Sequence, residues 1–120
     1  MSFDWEEYIS LALFLHGYGG SSFTQEAAFR CATSRAYYAA FCYARNYARD
    51  QHGFSLTHRP RDHELVRNHF RSRGMSDIAS KLDELRQWRN ICDYDDTIFS
   101  NIPSLVASAI AEAQAIINNL

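Results

Sequence analysis

Ser34-Arg35-Ala36-Tyr37-Tyr38-Ala39-Ala40-Phe41 lies at the middle of a 30-residue stretch, Phe23 to His52, that holds neither Pro nor Gly. Within the stretch, apolar or aromatic residues recur at 29, 33, 36, 40, 43 and 47, with Thr33 the weakest member. A second set at 37, 41, 44 and 48 covers the flank. This is helical spacing, and a helix apolar over most of its circumference packs on several sides. One polar line remains: Arg35, Tyr38, Cys42, Arg45 and Arg49. At 100° per residue these fall within an arc of about 80°. The expected central helix therefore carries three guanidiniums and a phenol along one side.

Outward from this helix the chain reads as helices throughout. Ser2 to His16 forms a first one, with Trp5, Tyr8, Ile9, Ala12 and Leu15 on one face and acids in its first turn, where the helix dipole favours them. Gly17 to Ser21 makes a loop, and Ser22-Phe23-Thr24-Gln25 reads as a capping box for the long helix. Gly53 stops that helix. A connector from Phe54 to Pro60 carries Thr57 and His58. Residues 61–73 form a short basic helix with Leu65, Val66, His69 and Phe70 inward. Gly74 ends it, and Ser76 or Asp77 caps a helix over 77–95. Pro103 suits the first turn of a last helix, 103–118, with its stripe at Val106, Ala109, Ala113, Ile116 and Leu120. No internal repeat and no period-2 strand pattern of useful length is present. The expected fold is all-α: one domain over 1–120, an up-and-down bundle of four main helices plus a short one.

A chain of 120 residues is long enough for a core without staples. Three cysteines without a C-x-x-C pair fit a reducing cytoplasm, and Cys31, Cys42 and Cys92 read as inert thiols on apolar or semi-buried faces. The acidic N-terminus is not a secretory signal, and no apolar run reaches the length of a membrane span. Phosphate-loop and hydrolase-elbow motifs are missing. His58, His63 and His69 lack the tight spacing of zinc ligands, so neither metal nor cofactor is expected. The net charge of −2 conceals a dipole. Residues 1–29 hold four acids and no Lys or Arg, whereas 52–73 hold five Arg against Asp62 and Glu64. Eleven of the twelve basic residues are Arg, whose planar fork suits phosphate or carboxylate.

The fourth helix carries an anomaly. Its apolar stripe runs Ile78, Leu82, Leu85, then Arg89, then Cys92. A guanidinium stands where the pattern wants Leu, and burying it unpaired is costly. Two roles fit. Arg89 either snorkels beside Trp88 and pairs with Asp93 to fix the bundle, or points with Asn90 into a cleft against the Arg35–Tyr38 line.

These motifs together resemble the HEPN superfamily (higher eukaryotes and prokaryotes nucleotide-binding domains), in one prokaryotic branch. The resemblance rests on Phe3-Asp4-Trp5-Glu6-Glu7-Tyr8, on Ser34 to Phe41 followed by Ala44-Arg45, on Thr57-His58, and on Arg89-Asn90-Ile91-Cys92-Asp93-Tyr94. It implies a helical bundle that forms a homodimer, with a cleft near the symmetry axis. It also implies metal-independent ribonucleases, many of them toxins beside a minimal nucleotidyltransferase antitoxin. By this resemblance Arg89, Asn90 and Tyr94 stand at catalytic positions, and Arg35, Tyr38, Arg45, His58 and Asp93 at ligand-binding ones. The chain departs from the ribonuclease motif: positions 94–96 are Tyr, Asp and Asp, where the family has a His as acid–base group. The expected function is RNA or nucleotide binding in an Arg-lined cleft, in a cytoplasmic toxin–antitoxin or conflict system, with weak or no cleavage. Three alternatives stand beside it: a non-catalytic partner subunit of a nucleotidyltransferase, a ribonuclease using Tyr94 or His58, and a scaffold dimer without ligand. His58 has a plainer role open to it as well, capping or packing the connector.

Overall fold

The computed structural model describes residues 2–120. It is an all-α bundle of five helices: α1 (Glu7–His16), α2 (Gln25–His52), α3 (Asp62–Ser72), α4 (Ser76–Tyr94) and α5 (Ile102–Asn118). The long α2 is central and touches each of the other four. Its buried side presents Ala28, Ala32, Ala36, Ala39, Ala40, Ala44 and Ala48, whose small side chains let neighbouring helices approach closely. Tyr37, Val66, Phe70, Leu82, Leu85, Val106 and Ile116 fill the space around that strip. Thr33, the polar member of the stripe, is satisfied locally: its hydroxyl donates to the Phe29 carbonyl at 3.1 Å.

Helix ends depart from expectation where a side chain outside the hydrophobic pattern decides them. α1 starts at Glu7 rather than Ser2, because the Asp4 carboxylate accepts the Glu6 N–H at 3.0 Å and holds the chain in a turn. Phe3, Trp5 and Tyr8 then pack edge to face beside it. The N-cap of α2 is Thr24, which accepts the Ala27 N–H at 3.1 Å; Ser22 is not the cap. Gly53 ends α2 in the left-handed conformation, φ 67°, and lets the Phe54 N–H reach back to the Ala48 carbonyl. Neither Ser76 nor Asp77 caps α4. Gly74, at φ 73°, turns the chain so that the Met75 N–H closes the end of α3 on the Phe70 carbonyl, and α4 starts at once. Asn101 caps α5 through the Ser104 N–H, ahead of Pro103.

The C-terminal end of α4 is held from α2. Arg30, fixed by Glu26 at 2.9 Å, donates to the carbonyls of Cys92, Asp95 and Asp96. These groups have no partner within the helix, so one guanidinium satisfies what the helix leaves open. Arg30 thereby fixes the segment that brings Asn90 and Tyr94 to the site described next. Among the described residues no helix is long and apolar enough to cross a membrane.

Candidate functional site

A cleft of about 1080 Å³ opens between the polar line of α2, the turn before α1, the connector leading to α3, and the second half of α4. Of the residues singled out in the sequence, Arg35, Tyr38, Arg45, His58, Arg89, Asn90 and Tyr94 line it. Asp93 does not, and Arg49 lies outside, paired with Asp50 at 2.8 Å.

Three guanidiniums in the cleft lie on aromatic rings instead of on carboxylates. Arg35 sits 4.9 Å from the centroid of Tyr8 and 5.5 Å from that of Tyr38. Arg45 lies 5.6 Å from Trp5 and 6.0 Å from Phe41. Arg89 lies over Tyr37 and Tyr38, at 5.2 and 5.6 Å, and its Nη1 makes a long contact of 3.4 Å with the Tyr38 hydroxyl. The Nε atoms of Arg35 and Arg89 are buried without a partner among the described residues. Cation–π contact stabilises such groups modestly but does not neutralise them. The neighbouring Arg67 and Arg86, by contrast, share Asp83 at 3.6 and 2.9 Å.

Of the two roles open to Arg89, the pair with Asp93 does not form among the described residues. Arg89 turns onto the tyrosine faces of α2, and the exposed Asp93 carboxylate accepts the Ser34 hydroxyl at 3.2 Å. Helical spacing put the two charges on one side, but the aromatic surface under Arg89 drew it away from Asp93.

The connector is pinned by Asp62, a buried carboxylate at the start of α3. It accepts the Thr57 hydroxyl at 2.6 Å and the backbone N–H groups of Thr57 and His58. Burial alone would raise the Asp62 carboxyl, but the Thr57 hydroxyl and the surrounding N–H donors outweigh it and hold the group below its ordinary value. His58 takes the left-handed conformation there, φ 60°. Its backbone serves the connector while its side chain lines the cleft.

His63 was not legible as a site residue, nor were Phe41, Trp5 and Tyr8. The His63 ring stacks on Phe41 at 4.1 Å and 8°, and its Nδ1 is hydrogen-bonded to the buried Tyr37 hydroxyl. Burial first, then the charges of Arg89 and Arg67, push His63 down to about 4, so the ring is neutral at pH 7. Burial holds the Tyr37 phenol well above its ordinary value. The only sequence signal for this pair was the aromatic flank of α2 itself. His69 goes elsewhere, with its Nε2 2.8 Å from His52 Nδ1. Among the described residues no group of three or more His, Cys, Asp or Glu is placed to hold a metal ion. Cys42 and Cys92 are buried, and burial pushes both thiols up; Cys31, expected on a semi-buried face, is exposed.

The arrangement suits anion binding. Unneutralised guanidiniums bind phosphate oxygens, and the rings beside them offer faces on which a base stacks. The chain matches no family model, no curated protein and no solved structure.

Proposed function

We propose that this chain is a HEPN-type domain that binds RNA or a nucleotide in the arginine cleft and has weak or no ribonuclease activity. The observation that carries this reading is the meeting of Arg35, Arg45 and Arg89 on aromatic rings, with no carboxylate among the described residues paired to any of them. Unpaired cations beside rings are costly to assemble unless a ligand supplies the missing negative charge. Arg89 and Arg35 would hold phosphate, with Asn90 and His58 at the rim. Tyr94 stands where the family has its acid–base group, yet it is 73% exposed, and no His occupies 94–96.

In the cell this reading places the chain in a toxin–antitoxin or conflict system, as a homodimer and as partner to a minimal nucleotidyltransferase. The exposed Leu11 and Phe14, three residues apart on one face of α1, support an interface with another copy. Incubation with total RNA in EDTA tests the catalytic half of the reading. Binding with little or no cleavage is expected. Robust cleavage that Arg89→Ala abolishes would contradict it and make Tyr94 or His58 the acid–base group.

A further inference from the structure

Tyr37 is 1% exposed, and His63 Nδ1 is the one partner its hydroxyl has among the described residues. A buried phenol proton needs an acceptor, and Nδ1 is the acceptor present. Donation from Tyr37 occupies the Nδ1 lone pair. The proton of the imidazole then resides on Nε2, since the bond made by one ring nitrogen sets the state of the other. His63 Nε2 has no hydrogen-bond partner among the described residues and is not among the buried unsatisfied atoms, while the ring lines the cleft.

We propose that Tyr37 fixes His63 in the tautomer protonated on Nε2, so that His63 gives the cleft a hydrogen-bond donor for an acceptor oxygen of the ligand's phosphate or base. The proposal rests on the cleft being a nucleotide or RNA site. The groups that face the ring are Tyr37, Tyr38 and Arg45 from α2, Asp62 and Arg67 from α3, and Arg89 from α4. Only Asp62 favours a charged imidazole, and the connector donors already engage its carboxylate. His63 thus adds a donor without adding a cation beside three guanidiniums. The same lock removes it as a base at neutral pH, because its one lone pair is taken. Tyr37 is a positioning residue, and His63 a specificity-determining one that selects ligands with an oxygen acceptor at this point.

The first measurement needs no ligand: long-range 1H–15N correlation of the histidine rings in the wild-type protein at pH 7. His63 is expected to show a protonated Nε2 and an unprotonated Nδ1, and Tyr37→Phe to shift it toward a mixture of both tautomers. The second is affinity for a fluorescein-labelled single-stranded RNA octamer, with ATP as a separate arm. His63→Leu is expected to weaken binding about tenfold, the scale of one lost hydrogen bond to a charged acceptor. His63→Gln, which keeps an N–H near the Nε2 position, is expected to stay within about threefold. Whichever arm binds identifies the source of the oxygen. A proton on Nδ1 overturns the proposal, as does wild-type affinity in His63→Leu or equal weakness in His63→Gln. A wild type that binds neither probe overturns the cleft reading and the donor role, with the tautomer read independently.

Discussion

Arg89 stands where Leu would complete the buried stripe of Ile78, Leu82, Leu85 and Cys92. Its position was legible from the sequence because helical spacing is indifferent to chemistry. Its partner was not, because the rings of Tyr37 and Tyr38 lie more than fifty residues away and no local pattern points to them. Asp93 was the plausible local choice, and the Ser34 hydroxyl claimed it. Arg89→Leu separates site from frame. It restores the stripe and removes a buried unpaired Nε, at the loss of the cation–π contacts with Tyr37 and Tyr38, so denaturant unfolding should show stability unchanged or raised by up to about 0.5 kcal/mol. Affinity for RNA should fall at the same time. A stability loss above about 2 kcal/mol would make Arg89 part of the bundle's frame.

At the level of the helices, hydrophobic period gave α2, α4 and α5 to within a few residues, while their ends depended on caps that periodicity does not carry. Arg30 illustrates what spacing cannot reveal: an arginine near the start of α2 that terminates α4 through three carbonyls. Arg30→Ala should cost about 1–3 kcal/mol in urea unfolding, since those carbonyls lose charged donors. An unchanged midpoint would mean that water replaces the clamp without loss. Between α4 and α5 lies a second dependence. Burial first, and then the Glu84 carboxylate, push the Glu112 carboxyl up to about 7, against the opposing charge of Lys81. The folded value lies above the unfolded one, so between the two the folded protein keeps a proton that the unfolded chain releases. Stability therefore falls as pH rises toward 7 and stays reduced above it. Glu112→Gln should raise the melting temperature clearly at about pH 8 and hardly at about pH 4.5. Equal gains at both pH values would show that Glu112 does not titrate in this way.

Across the whole molecule, the charge asymmetry of the sequence becomes an asymmetry of the cleft: arginines from α2, α3 and α4 converge on it, Asp83 is spent on Arg67 and Arg86 and Asp62 on the connector, and Glu64 lines the cleft as a carboxylate outside these pairs. The polar line of α2 announced half of this. The rest needed the tertiary fold, which brings Trp5, Tyr8 and His63 to the same opening. The proposed dimer would cover apolar side chains left exposed on α1. Light scattering at tens of micromolar should give twice the chain mass, and Phe14→Glu should halve it; a wild-type monomer at that concentration would remove the interface. The most direct test of the cleft is the salt dependence of RNA octamer affinity in wild type and Arg89→Ala. Log affinity should fall linearly with log salt, and the variant's slope should be shallower by about 0.7, one phosphate contact on a single strand. An affinity that ignores salt, or identical slopes in the two proteins, would contradict the account.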